Sequence, residues 1–273
     1  MNKENIFINF FKSSLNGDDG ACAGDFVYST DSFFEDVHFK RDWMNLKQVA
    51  AKSMLVNISD AIAMNATPKY ALLNVAIPND FDEVMLEQLA LGFLETAEEF
   101  GIEIIGGDTI ANSKLDISVT IISKSKKPLF RKGMQVGDLI AYTGSLGESK
   151  RDLETLMSGG KIDEASKFIA PKLNPKFIKK IRKFINCGMD ISDGLFFELE
   201  RLSKINNLGI ELLEEFSLDV GCSGEEYEML FSFSPTMLNV IKQIADDFGV
   251  KVTIAAKAGG QNLFICPCKS HHF

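Results

Sequence analysis

The chain has 273 residues, 45% hydrophobic and 25% charged, with a net charge of −9 at neutral pH; its pI is about 5.0 and its mean hydropathy +0.03. That length supports one large domain or two ordinary ones with a substantial core, and the hydropathy excludes a disordered chain. The acidic balance disfavours nucleic acid and anionic membranes as partners, while a small anionic substrate is admissible wherever bound metal inverts the local charge.

The opening segment MNKENIFINFFKSSLN is too short and too interrupted by polar residues for a signal peptide. No apolar run approaches the ~20 residues of a membrane span, so a soluble cytoplasmic protein is expected. Gly17-Asp18-Asp19 reads either as a turn or as a pair of ligand carboxylates. A strand is predicted over 26–30, ending in Ser29-Thr30-Asp31, with His38 following in Val37-His38-Phe39. A largely buried helix is predicted over 47–64, on which Ser53, Asn57 and Asp60 share one polar stripe. Such a stripe either satisfies itself internally or faces a site.

An apolar strand over 71–77 lies between Pro68 and Pro78, and an amphipathic helix over 81–100 stops at Gly101. A short buried strand over 102–105 leads into Gly106-Gly107-Asp108-Thr109. That motif is either a glycine turn with an Asx-type cap or a close approach of backbone to ligand. Clean alternation over 115–123 predicts a half-solvated strand. Lys124-Ser125-Lys126-Lys127-Pro128 is the best candidate linker, and Arg131 belongs to a basic group with Lys126, Lys127 and Lys132.

Beyond it a strand is expected over 139–143. Gly144-Ser145-Leu146-Gly147-Glu148-Ser149-Lys150 then follows, which lacks the GxxxxGK[ST] phosphate loop. Helices are predicted over 148–157, 163–169, 175–185 and 195–206, strands over 209–213 and 251–255, and a helix over 236–248 between those strands. The alternation gives an α/β or α+β chain in two parts, split near residue 130.

Asp190-Ile191-Ser192-Asp193-Gly194 precedes the helix at 195. An N-cap explains Ser192 or Asp193 but not Asp190 as well. A helix N-terminus attracts phosphate, and added carboxylates repel it unless a metal lies between. Gly224-Glu225-Glu226-Tyr227 adds a last acidic motif. The echo of Ile58-Ser59-Asp60-Ala61 in Ile191-Ser192-Asp193-Gly194 is too short to be a repeat. The five cysteines are odd in number and scattered, which implies no disulfide framework. Cys266-Pro267-Cys268 with His271 and His272 lacks a second cysteine pair, so a final strand and tail are expected there and not a zinc site. Carboxylates are costly to bury unless paired or bound to a cation. Together these motifs point to one site holding several divalent metals around phosphate.

In this order and at these separations, the motifs resemble the thiamine-monophosphate kinase family of the PurM-like ATP-binding superfamily. The matching stretches are GDDGA (17–21), STDSFFEDVHF (29–39), NISDAIAMNATP (57–68), GGDT (106–109), FRKGMQVGDLIAYTG (130–144), MDISDGL (189–195) and SGEEYEML (223–230). The resemblance implies an N-terminal PurM-like domain (1–130) whose strands pair across a homodimer, and a C-terminal PurM-like domain (131–273). It implies phosphorylation of thiamine monophosphate by ATP, with several Mg²⁺ ions held by Asp19, Ser29, Thr30, Asp31, Asp60, Asp108, Asp190 and Asp193. It further implies ATP contacts from Gly107, Asp108, Arg131 and Ser192, and contacts to thiamine monophosphate from His38 and Glu225. The chain departs from the family at Glu226, where aspartate is usual, at Asn65, where glycine is usual, and at a C-terminus without the usual aromatic residue. The alternatives are another enzyme of the superfamily, such as an aminoimidazole ribonucleotide synthetase-like or selenophosphate synthetase-like protein, or a non-catalytic nucleotide- or thiamine-phosphate-binding protein.

Overall fold

The computed structural model describes residues 3–8 and 10–269. The first part comprises α1 (Lys3–Ile8), β1 (Ala21–Ala23), β2 (Phe26–Phe34), α2 (Leu46–Ala63), β3 (Thr67–Pro78), α3 (Glu83–Phe100), β4 (Glu103–Asn112) and β5 (Asp116–Lys124). The second comprises β6 (Leu139–Thr143), α4 (Glu148–Met157), α5 (Pro175–Ile181), β7 (Cys187–Ile191), α6 (Leu195–Asn206), β8 (Ile210–Leu212), α7 (Leu218–Gly221), β9 (Glu228–Phe233), α8 (Leu238–Phe248) and β10 (Val252–Ala258). Each part builds a five-stranded sheet, in the order β1-β2-β5-β3-β4 and β7-β9-β6-β10-β8. All ladders are antiparallel except β3–β4, which the α3 crossover makes parallel. No described helix is long and apolar enough to cross a membrane.

The central element is α2. Asn45 and Gln48 form a reciprocal capping box at its start, with Gln48 N donating to Asn45 Oδ1 at 2.9 Å and Asn45 N to Gln48 Oε1 at 3.0 Å, worth about 1 kcal/mol. Almost every residue after the first turn is buried, because α2 packs on β2 and β5 on one side, on α3 on another, and also meets β7 of the second sheet. Gly92 permits the α2–α3 approach: a Cβ there would lie 2.2 Å from the Lys47 carbonyl oxygen. α3 is capped by Asp82 and ends on Gly101 in the left-handed region, as its sequence predicts. The core is shared between the two parts, since Phe33, Met54 and Ile58 join one cluster with Met229, Phe231 and Phe233.

Three expectations are corrected. The strand expected over 102–105 continues to Asn112, so Gly106-Gly107-Asp108 lies within β4 and forms no turn. Parallel pairing to β3 carries it on, and Gly107 lies so close to Leu73 that a Cβ would sit 1.7 Å from its carbonyl oxygen. No helix forms over 163–169. There Asp163 accepts from Ala165 N and Ser166 Oγ from Phe168 N, local bonds that compete with a helical ladder. The helix from Pro175 ends at Ile181 and tightens into a 3-10 turn over Arg182–Phe184. β7 and β9, where no strand was expected, carry no alternation, because every residue in both is buried.

The cysteines also depart from expectation. Cys222 and Cys268 form a disulfide with their Cα atoms 5.7 Å apart. Irregular spacing concealed the pair: the fold returns the segment after β10 to α6, where Phe264 N bonds Ser203 Oγ and Cys266 N bonds Glu200. No strand forms over 263–269, and His271 and His272 lie outside the described residues. Thiol titration of the unfolded, unreduced protein should find three free thiols, at Cys22, Cys187 and Cys266. Five would refute the disulfide.

Candidate active site at the seam of the two sheets

Three carboxylates converge from three elements. Asp19 lies in the loop before β1, Asp60 in the last turn of α2, and Asp190 near the end of β7. One oxygen from each lies within 4.8 Å of the others. Burial pushes the Asp60 carboxyl well above the ordinary range, and the charges of Asp190, Asp31 and Asp19 add to the effect. Asp190 is raised in the same way by burial and by Asp19, against a hydrogen bond from Ser59 Oγ at 2.5 Å. Asp19 is raised by burial too, although Arg131 opposes the shift. Like charges this close in a desolvated setting are unfavourable until a cation enters. Hard oxygen donors in such a group fit Mg²⁺.

Around this centre the remaining motifs divide. Asp31 on β2 remains accessible, yet enclosing protein and the charges of Asp19 and Asp193 raise its carboxyl. Ser29 is buried and donates to the Asn57 carbonyl at 3.1 Å, whereas Thr30 points to the exposed face and bonds Thr120 at 3.0 Å. The Arg131 guanidinium grips Asp19, and its backbone N–H donates to Asp18 Oδ1 at 2.6 Å. Asp193 pairs with Arg201 at 3.0 Å. Ser192 presents its carbonyl to Glu225 N at 2.6 Å. His38 Nδ1 accepts from Phe34 N at 3.0 Å, and its ring stacks on Phe33 at 5.6 Å.

Gly107 and Asp108 do not join the cluster within one chain. Gly107 is in register with Leu73, Val119 and Asp31 across β3, β5 and β2. Three strand spacings put this edge about 14 Å from β2. Asp108 is exposed there and accepts from Thr109 N.

The polar stripe on α2 is only partly functional. Ser53 donates to Ala50 O and Asn57 Nδ2 to Ser53 O, Asn57 Oδ1 being buried without a hydrogen-bond partner among the described residues, and Asp60 alone reaches the cluster. Sequence reading missed Ser59, which ties α2 to Asp190. It missed Lys52, wholly buried, whose Nζ meets Glu225 Oε2 at 2.5 Å. It also missed Glu198, buried beside Arg201 at 2.7 Å and accepting from Asp193 N; burial raises Glu198 to about 7 against the pull of Arg201. A lysine within the apolar run 49–64 is the available signal for Lys52.

The acidic motif after β8 is held on all sides. Glu225 and Tyr227 both take positive φ, at 55° and 51°. Such backbone persists where surroundings over-determine it: Tyr227 N bonds Ile191 O, and Ser149 Oγ bonds Glu225 O.

The family profile described as AIR synthase related protein, N-terminal domain, matches residues 17–124. The thiamine-monophosphate kinase of Leptospira interrogans is 32% identical over 233 residues, covering 78% of this chain and 76% of that one. The Aquifex aeolicus protein of the same name is 29% identical over 249 residues, 81% of each chain. A solved structure of AaThiL complexed with AMPPCP and TMP matches with a TM-score of 0.86 and 24% identity, covering 99% of this chain and 96% of that one, which shows the shared fold. On these grounds the chain belongs to the thiamine-monophosphate kinase family.

Proposed function

We infer that the chain is an ATP-dependent kinase that converts thiamine monophosphate to thiamine diphosphate, releasing ADP. The observation that carries this reading is the three-carboxylate centre at the seam of the two sheets, in a chain of this family. The acceptor is a phosphate monoester whose second pKa is ~6, so its oxygens are largely ionised near neutrality and no general base is required. The transfer breaks the bond between the γ-phosphorus of ATP and the bridging oxygen to ADP, and forms one from an acceptor phosphate oxygen. The chain's work is positioning and charge compensation.

In this reading Asp19, Asp60 and Asp190 hold Mg²⁺, with Ser29, Thr30, Asp31 and Asp193 as further ligands around them. Bound Mg²⁺ supplies neutralisation of two mutually repelling phosphates. Arg131 restrains Asp19 and contacts ATP together with Ser192. His38 and Glu225 face the acceptor. The boundary between residues 130 and 131 is supported by the two sheets, which lie on either side of it.

A homodimer completes the site. The outer face of the first sheet leaves Tyr28, Tyr70, Ile105 and Ile110 exposed, from β2 across to the β4 edge. A partner sheet laid across that face brings its own Gly107 and Asp108 toward this chain's β2. An exposed apolar face of this kind favours such packing.

Incubation of the purified protein with ATP, Mg²⁺ and thiamine monophosphate should yield thiamine diphosphate by chromatography. No product with nucleotide binding intact overturns the assignment. Asp31→Asn and Asp60→Asn should each lower turnover by about 100-fold or more, and Asp60→Asn should raise the melting temperature of metal-free protein by relieving repulsion. Near-wild-type activity in both sinks the metal centre.

Mixing inactive Asp60→Asn with inactive Asp108→Asn should restore part of the activity, since mixed dimers then contain one intact site. Absence of recovery despite subunit exchange refutes the shared site.

Asp60, Asp190 and Glu198 all bind protons more tightly folded than unfolded. Stability from such groups is complete below the unfolded pKa and is lost as pH rises through the folded one. For Glu198 the window runs from 4.5 to about 7. In chelator the melting temperature should fall between about pH 5 and pH 8, and excess Mg²⁺ should flatten the fall. A flat or rising profile in chelator contradicts the burial of these carboxylates.

A further inference from the structure

Lys52 stands out among the side chains that the reaction scheme leaves unused. It sits on α2 with 0% of its surface exposed. Its Nζ donates to Glu225 Oε2 at 2.5 Å and lies 3.7 Å from the ring centroid of Phe168 and 5.5 Å from that of Phe33. Phe33 in turn stacks against His38. The Glu225 side chain keeps 27% of its surface accessible, so the pair has a buried ammonium behind and a reachable carboxylate in front. Burying an ammonium is costly, and an apolar side chain would fill the space between Phe33 and Phe168 more favourably. Packing therefore does not account for Lys52, whereas control of the carboxylate does.

Position along α2 sharpens this. Seven residues after Lys52, on the same helical face, Ser59 bonds Asp190 at the carboxylate centre. The two contacts are thus about 10 Å apart along one helix axis. The phosphate end of an acceptor belongs at Ser59 and Asp60, which leaves its organic end beside Glu225.

We propose that Lys52 is a positioning residue for the phosphate acceptor, orienting the Glu225 carboxylate toward the acceptor's nitrogen-rich, cationic organic end two helical turns from the metal-binding carboxylates. The pair is neutral overall, so Lys52 does not repel a thiazolium, while Glu225 retains an oxygen that can accept from an amino group or face the ring charge. This inference rests on the kinase reading above.

Steady-state kinetics on the full chain tests it, with thiamine monophosphate and ATP varied separately. Lys52→Met should raise the KM for thiamine monophosphate by about 10-fold or more and leave that for ATP within about two-fold. Lys52→Arg should recover most of the loss. Because Lys52 acts through Glu225, Lys52→Met combined with Glu225→Gln should be no worse than Glu225→Gln alone. An unchanged KM in Lys52→Met, an equal rise for both substrates, or additive losses in the double variant overturns the proposal. If Lys52→Met does not fold, Lys52→Gln with and without Glu225→Gln gives the same comparison. A wild-type chain that forms no thiamine diphosphate refutes the kinase reading itself, whereas an active wild type with additive losses refutes only the role of Lys52.

Discussion

The structure is organised around carboxylates that repel one another. Asp19, Asp60 and Asp190 come from a loop, a helix and a strand, yet their oxygens crowd within 4.8 Å. Arg131 bonds Asp19, but among the described residues no lysine or arginine forms an ion pair with Asp60 or Asp190. Such an arrangement survives only where the surrounding core is rigid enough to oppose it. That core is the apolar cluster common to both sheets, with α2 at its centre. Polar ties then cross the seam, among them those from Ser59 to Asp190, Lys52 to Glu225, and Arg131 to Asp19.

The acidic motif after Cys222 illustrates how neighbouring residues of one type diverge in role. Glu225 turns toward α2. Glu226 turns the other way, accepting from Gly147 N at 2.7 Å and Ser223 Oγ at 2.6 Å. Glu228 bonds Thr143 Oγ1 and Lys167, each at 2.6 Å. Glutamate at 226, where the family usually has aspartate, remains fully engaged with the loop before α4.

Much of this was legible in the sequence. The amphipathic period of 81–100 with its glycine stop, the alternation of 115–123 and the ordered acidic motifs each reflect a local rule. What stayed hidden depends on distant partners. β9 reads as an undifferentiated apolar run because it is central in its sheet. Gly106-Gly107 looks like a turn because the strand beside it is remote in sequence. Lys52 resembles any helical lysine until Glu225, 173 residues later, is placed against it. The Cys222–Cys268 pair is invisible to spacing for the same reason.

The stiffness of α2 has a consequence for how this site can fail. Its 18 residues contain neither glycine nor proline, so no sharp bend is built in. Ser59 near its C-terminal end meets Asp190, and Lys52 in its N-terminal half meets Glu225, both counterparts belonging to the second part. A translation of the second part away from α2 therefore breaks both contacts together. Displacing this one stiff element disturbs the carboxylate centre and the Glu225 loop at once.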